Sequence, residues 1–512
     1  MSLVQRAACA ALIAWGCDLQ AQGTFMKSYL SDTTIYAPTI ARTTDGGYVM
    51  AGIHDAPTFD KSRCVLKVDS TGVLEWSRYY GTASPFDVIE VVPLASGDLL
   101  ALTTTPVGAQ DRDLVALRLD AAGDTVWTRA FDHPSAVTGR NAVELANGDL
   151  VLVSYTTRDL YLTRMTGMGS VIWSHGYSAG GIGGQADPRA DVILTSDSCI
   201  LACGAVPANA PAGTNGFVVK TDMNGDLIWA KFIGGSATDM FRSVVETADG
   251  GYLLMGYYTI SYGYPMIVRM EVDGDVLWRK RFTGADQSRG LILERCTDGN
   301  YVVGGDVQSL ADGYRALLFK ISDAGELIWS NAYGSEMHFM DACMVDDGMV
   351  MAAANYSSDV PYPTLGMFAG DTVGASNCTT TPLPLYASDI LLTESSVVNT
   401  ISGLTSSYYP VPVSDLSMTE LTDCISTGTG QPATIDGISV HPNPADERCF
   451  IHNPSHRPIS ALEIVDVNGR TVARHGRDVL APIDVSALGP GIYLFRVFMD
   501  DASVICERVI VE

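Results

Sequence analysis

The sequence predicts an all-β protein: a β-propeller of about seven blades, then a small β-rich segment, then a C-terminal antiparallel β-sandwich. Two periodic signals and one displaced strand predict it. Six of the seven tryptophans stand four residues after a glycine: Gly72/Trp76, Gly123/Trp127, Gly169/Trp173, Gly225/Trp229, Gly274/Trp278 and Gly325/Trp329. They recur about every fifty residues, a period of propellers and solenoids rather than of one compact enzyme core. A second signal, a tight turn followed by an apolar strand, begins at Asp45, Ser96, Asn147, Asp197, Asp249, Asp298 and Asp347. It occurs seven times against six tryptophan strands. The stretch Gly23 to Leu30 resembles the tryptophan strands, with Phe25 in the indole's place. An N-terminal strand that completes the last blade would close the ring and leave no free sheet edge there.

The elements follow in chain order. Residues 1–21 carry Arg6, the apolar run AACAALIAWGC and then LQAQ, which reads as a cleavable secretory signal peptide. That run is too short to span a bilayer, and no later segment reaches transmembrane length. The propeller is expected over residues 24–370, with six or eight blades as the alternatives. Each period holds four short strands, A to D. An apolar run leads into the first turn, as in Phe86 to Leu94. A strand follows it, then a strand such as Cys64 to Asp69, then an Asp/Gly turn and the tryptophan strand. One indole per blade is expected to pack against the neighbouring blade and hold the ring together.

After Asp371 the composition turns to Thr, Ser and Pro, and residues 371–424 read as a small β-rich appendage. Residues 425–437, containing STGTGQPATIDG, read as a flexible linker. Residues 438–512 form a separate unit of alternating strands with an Asn468-Gly469 turn, a small β-sandwich.

Composition excludes several classes. Net charge is −26 and the pI about 4.5, so a nucleic-acid interface on a basic face is excluded. No Lys or Arg occurs between Ile321 and Glu447. No Asp ladder of the EF-hand kind is present, and no metal or cofactor is expected. Nine cysteines follow the leader: Cys64, Cys199, Cys203, Cys296, Cys343, Cys378, Cys424, Cys449 and Cys506. Cys64, Cys199, Cys296 and Cys343 lie in apolar runs, as packed thiols do. Cys378 and Cys424 bracket the appendage and are the favoured disulfide pair in an oxidising compartment.

The C-terminal stretches resemble the type A C-terminal sorting domain of the type IX secretion system of Bacteroidetes-type bacteria. The matching residues are Pro442-Asn443-Pro444, Asp466 with Gly469-Arg470, Leu488, Gly491-Ile492-Tyr493 and the final Val509-Ile510-Val511. His441 stands where that family usually has Tyr, and Arg508 where it usually has Lys. The resemblance implies periplasmic transit, handling by the outer-membrane machinery, removal of the domain, and a passenger that is secreted or held at the cell surface.

Catalytic motifs are few. Gly176-Tyr177-Ser178-Ala179-Gly180, preceded by His175, matches G-x-S-x-G. It follows Trp173 directly, in the slot of Tyr80-Gly81, and the GGIGGQADPRAD after it does not start a helix. The Gly-x-x-x-Trp hairpin resembles the tryptophan-docking repeat of quinoprotein propellers. Here Asp69 lies one residue closer to Gly72 than in that family, and the adjacent cysteine pair at its cofactor is missing. His452 and His456 are four apart in the loop HNPSH, which does not present a metal site.

Strand alternation puts the A–B and C–D turns on one face and the B–C and D–A loops on the other. The B–C loops vary most, as binding loops on a rigid scaffold do. Those of blades five to seven carry Tyr257, Tyr258, Tyr262, Tyr264, Tyr314, Tyr356 and Tyr362, an expected platform for a glycan or peptide. The expectation is therefore a non-catalytic surface or secreted propeller that binds an extracellular ligand. The alternatives are a hydrolase or lyase acting on extracellular polysaccharide at the funnel, and a purely structural or adhesive envelope protein.

Overall fold

In the computed structural model, the described residues are the strands between Thr24 and Val511 and the tight turns that join them. Residues 1–23, 371–379 and 427–438, most B–C and D–A connections, and parts of the C-terminal unit lie outside them. The leader and Trp15 fall in the first of these stretches.

Seven antiparallel sheets make a seven-bladed ring. The blades begin at strand A with Thr34–Arg42, Val88–Pro93, Thr138–Glu144, Asp191–Leu194, Thr238–Glu246, Gln287–Arg295 and Met337–Val345. These seven strands touch their neighbours all the way round, the seventh against the first, so they form the inner wall. Blade seven takes its strand D from the N-terminus. Thr24–Leu30 pairs with Thr364–Gly370, and Phe25 lies opposite Ala369. The displaced strand thus closes the ring, and the blade count is seven.

Between blades the core is aliphatic and aromatic. Leu201, Cys203, Val218 and Ile233 of blade four, for example, pack on Phe241, Val244, Leu254 and Met266 of blade five. The glycine four residues before each tryptophan has two local causes. Its φ is positive, between 71° and 88°, at Gly72, Gly123, Gly169, Gly225, Gly274 and Gly325, where a side chain is strained. At all but Gly72 the preceding blade's indole also lies against it: a Cβ on Gly274 would stand 3.1 Å from the Trp229 ring, and one on Gly325 would stand 2.7 Å from Trp278. The indole N–H then donates to the carbonyl two residues before that glycine. Trp76 reaches Ala121 at 3.1 Å, Trp127 reaches Gly167 at 2.9 Å and Trp173 reaches Met223 at 3.1 Å. Tyrosines four residues further along strand D add a second bond, from Tyr29, Tyr80 and Tyr177 to the carbonyls of Gly72, Gly123 and Gly225.

Opposite each tryptophan, strand C carries a cation: Lys67, Arg118, Arg164, Lys220, Arg269 and Lys320. Each pairs with the Asp of its own A–B turn, Asp45, Asp98, Asp149, Asp197, Asp249 and Asp298, at 2.6–2.9 Å. Asp249 is held at about 2, first by the Thr247 hydroxyl, with the Gly251 N–H and Arg269 adding to it against partial burial. This lattice of turns accounts for the Asp in six of the seven turn signals; Asp347 of the seventh lies outside the described residues.

Seven short strands between Thr380 and Ser426, within and just past the segment expected as an appendage, lie as a fifth strand, one on each blade. They follow the blades in descending order. Thr380–Pro382 pairs on blade six, Tyr386–Asp389 on five, Thr393–Ser395 on four, Asn399–Ser402 on three, Thr405–Ser407 on two and Val413–Asp415 on one. Thr419–Ser426 ends the circuit on the N-terminal strand of blade seven. The outermost strands would otherwise present open edges.

The C-terminal unit has two sheets, of three and four strands. Its own core contains Cys449, Leu462, Ile464, Phe495, Val497 and Val509, with Leu488 and Tyr493 packed at the margin. Of the sorting motif, Pro442, Asn443, Pro444 and Gly469 lie outside the described residues. Gly491, Tyr493 and Arg508 fall on the last two strands, which pair with each other. Cys378 lies outside the described residues and so does the side chain of Cys424, whose backbone pairs with Met26. Cys64, Cys203, Cys296 and Cys449 are buried.

Candidate functional site

Two regions could carry function: the ring axis and the rim of B–C loops. At the axis, six of the seven inner strands contain a bulge. The residues that follow it are Thr39, Glu90, Asn141, Ser243, Ile292 and Asp341. Asp191 holds the same register on the shorter blade-four strand, opposite Cys203. Four of these side chains, those of Asn141, Asp191, Ser243 and Asp341, join blade to blade. Asp191 Oδ1 accepts from Asn141 Nδ2 at 2.7 Å and from the Val192 N–H at 2.8 Å. Its Oδ2 accepts from the Val244 N–H at 2.9 Å and the Ser243 hydroxyl at 3.3 Å. Ser243 Oγ accepts from the Leu293 N–H at 3.2 Å, and Asp341 Oδ2 from the Ile40 N–H at 2.8 Å. Burial pushes the Asp191 carboxyl up, despite these bonds, which pull it down.

Two residues further along each strand is a second ring: Ala41, Val92, Val143, Ile193, Val245, Glu294 and Cys343. All seven are half-buried, and the hydrophobic ones pack against the clusters between blades. Glu294 is the one ionisable carboxyl in this ring. Burial raises it to about 8, with the charges of Asp191 and Asp341 adding to the rise. A carboxyl raised on folding costs nothing below the unfolded value, and its cost grows as pH climbs toward the folded value. The thermal midpoint of the wild-type chain is therefore expected to fall between about pH 5 and 8, with the raised Asp191 carboxyl acting in the same direction. Glu294→Gln should flatten that slope in melts across the range. Parallel slopes for the two proteins would show that the ring does not hold this carboxyl protonated.

The rim is described in part. Tyr257, at the end of strand B of blade five (Tyr252–Thr259), is half-buried. The Arg242 guanidinium, from the bulge of the innermost strand, lies 4.6 Å from its ring centre. Such a stack is worth about 0.5–2 kcal/mol, more when desolvated. Tyr258 and Tyr264 are directly paired residues of the same hairpin. Tyr314 opens strand C of blade six, opposite Gln308. Tyr262, Tyr356 and Tyr362 lie outside the described residues. The partnership of Arg242 with Tyr257 has no local sequence signal, because the two residues are on different strands. The axis positions do have one: they recur every 49–52 residues, in step with the tryptophans, and all but Ile292 are polar.

The serine motif is strand, not elbow. His175 to Ser178 belong to the blade-three strand Val171–Ser178. The Tyr177 hydroxyl is spent on Gly225, and His175 stacks on Trp173 at 5.2 Å. His452 ends a short strand of the C-terminal unit, and His456 lies outside the described residues. Among the described residues no group of three or more His, Cys, Asp or Glu side chains is arranged to hold a metal ion. No helix there is long and apolar enough to cross a membrane.

Comparison with known proteins fixes one end of the molecule. Residues 439–512 match the secretion system C-terminal sorting domain family. The chain therefore carries a type IX sorting domain and is secreted to the cell surface or extracellular space. A search of curated proteins found no matching relative. Similar solved structures include a protein of unknown function from Dyadobacter fermentans DSM 18053, at 12% identity, covering 67% of this chain and 98% of that one, with a TM-score of 0.42. Polysaccharide lyase Uly1 aligns at 9% identity over 68% of this chain and 99% of its own, with a TM-score of 0.44. A mutant of the NanB sialidase of Streptococcus pneumoniae aligns at 8% identity over 66% and 68%, with a TM-score of 0.36.

Proposed function

We propose that the passenger is a non-catalytic propeller that binds an extracellular glycan or protein through the B–C loops of blades five to seven. The observation that carries this reading is the Arg242–Tyr257 stack. It ties a rim aromatic to the innermost strand, which limits the rotamer freedom a ligand would otherwise have to freeze. The axis supports the same reading. Asp191 and Asp341 are committed to backbone N–H groups of neighbouring blades, and the ring around Glu294 is otherwise apolar or thiol. Binding by the secreted residues 24–426 to a glycan array and to extracellular-matrix proteins tests it. Tyr257→Ala/Tyr264→Ala is expected to weaken the strongest signal at least about tenfold, the loss of roughly 1.4 kcal/mol of contact. Binding unmoved by that double substitution rules the rim out.

One observation favours the second reading, a polysaccharide hydrolase or lyase. Glu294, raised to about 8, is protonated at neutral pH, as a general acid must be. Release of reducing ends or unsaturated products from a polysaccharide panel, abolished by Glu294→Gln, would establish it. A chain that neither binds nor cleaves leaves the structural or adhesive role.

A further inference from the structure

We infer that the seven short strands between Thr380 and Ser426 form a clasp that closes last and governs whether the ring can open within blade seven, between its strands C and D. Three observations converge on that seam. First, it is the one place where a blade is assembled from both ends of the propeller chain. The N-terminal strand Thr24–Leu30 is held on one side by Thr364–Gly370 and on the other by Thr419–Ser426. Second, the clasp's grip is uneven. On blades one to six its strands are three or four residues long and pair only with the second half of strand D, as Val413–Asp415 does with Arg78–Tyr80. On blade seven its strand is eight residues long and pairs along the whole of the N-terminal strand, from Thr24 opposite Ser426 to Leu30 opposite Thr419. Third, blade seven has no C–D turn, because its strands C and D are joined to different parts of the chain. The covalent link that holds strands C and D in every other blade is absent there, and the longest clasp strand lies along the outer edge of the strand D that lacks it.

The order of events follows from the topology. Each clasp strand needs a formed strand D to pair with, and the last one needs the N-terminal strand already seated on Thr364–Gly370. Docking of Thr419–Ser426 therefore completes the closure, and its release is the first step of opening. The sorting domain begins beyond residues 427–438, with its first strand at Ser439–His441. Scission within 427–438 removes the sorting domain and leaves every clasp pairing with the passenger. Scission before Thr419 does not. The intact passenger accordingly runs to Ser426, beyond the expected propeller boundary at residue 370.

Hydrogen exchange and unfolding kinetics on the mature full chain test this. Two adjacent prolines remove a ladder donor whichever way a strand alternates. Leu421→Pro/Thr422→Pro breaks the clasp opposite Lys27 and Ser28, and Glu394→Pro/Ser395→Pro breaks it equally on blade four. The first pair is expected to strip protection from residues 24–30 and to raise the unfolding rate at least about tenfold. The second should expose only its own pairing on blade four and change the rate less than about threefold. Equal effects from the two pairs, or residues 24–30 still protected in the first, would overturn the inference. Should the first variant fail to fold, Ser28→Cys/Leu421→Cys gives the answer from the other side, because those two positions face each other. Oxidised against reduced, with the wild-type chain treated alike, the cross-link should slow unfolding at least about tenfold. An unchanged rate would equally overturn it.

Discussion

Replacing Trp127 by alanine is expected to lower the stability of the passenger by about 3–5 kcal/mol, the largest single loss available on the tryptophan ring. Trp127 is 6% exposed and packs between blades two and three with Leu114, Phe131, Leu152 and Tyr161. Its N–H is satisfied by the Gly167 carbonyl, and its ring lies 3.3 Å from the place where a Cβ on Gly169 would stand. Truncation removes the apolar contacts, opens a cavity between two rigid sheets, and leaves the Gly167 carbonyl with one partner fewer. Trp229 is half-buried, with a longer N–H bond of 3.3 Å, so Trp229→Ala should cost less. Equilibrium denaturation of both variants decides the matter. A Trp127→Ala midpoint within error of wild type would mean that the indoles are not what joins the blades.

The second large effect is expected at Asp191. Its two oxygens receive the Asn141 amide, two backbone N–H groups and the Ser243 hydroxyl, and they join blades three, four and five. Asp191→Ala leaves these donors without their acceptor, at about 1–3 kcal/mol for each one left unsatisfied and buried. A total near 3–5 kcal/mol is expected once water and small shifts recover part of it. Asp191→Asn keeps an acceptor in place and should recover much of the loss. If alanine and asparagine behave alike, in thermal and chemical melts, then the carboxylate is not the inter-blade tie described above.

The blades were legible because their signals are local. A turn that needs positive φ demands glycine, and the indole four residues after it, which lies on the next blade's glycine, is large and rare, so the pair survives as a visible period. The closing strand was legible for the same reason, through the likeness of GTFMKSYL to WSRYYG. The clasp was not. Its strands are mostly three or four residues long, rich in Thr and Ser, and pair with partners tens to hundreds of positions away, so no periodic pattern betrays which sheet they join. The axis was half-legible. Asp191, Ser243 and Asp341 keep the repeat spacing, yet a lone polar residue in a strand looks like a solvent-facing one until the neighbouring blade's N–H is seen beside it. Glu294, in the apolar run LILERC, carried no sign that six sister positions are occupied by Ala, Val, Ile and Cys. At the rim, the sequence singled out Tyr257 but gave no sign of Arg242, the residue stacked on it.

The five indole–glycine pairs also make the molecule its own reporter, with a blind spot. Trp76, Trp127, Trp173, Trp229 and Trp278 each rest on the following blade's glycine, so their emission should shift when any of those five joints loosens. At the joint between blades seven and one the corresponding residue is Phe25, which does not emit in that band. A chain whose ring has parted there and nowhere else should keep its native fluorescence, and only a label placed at that joint would see it open.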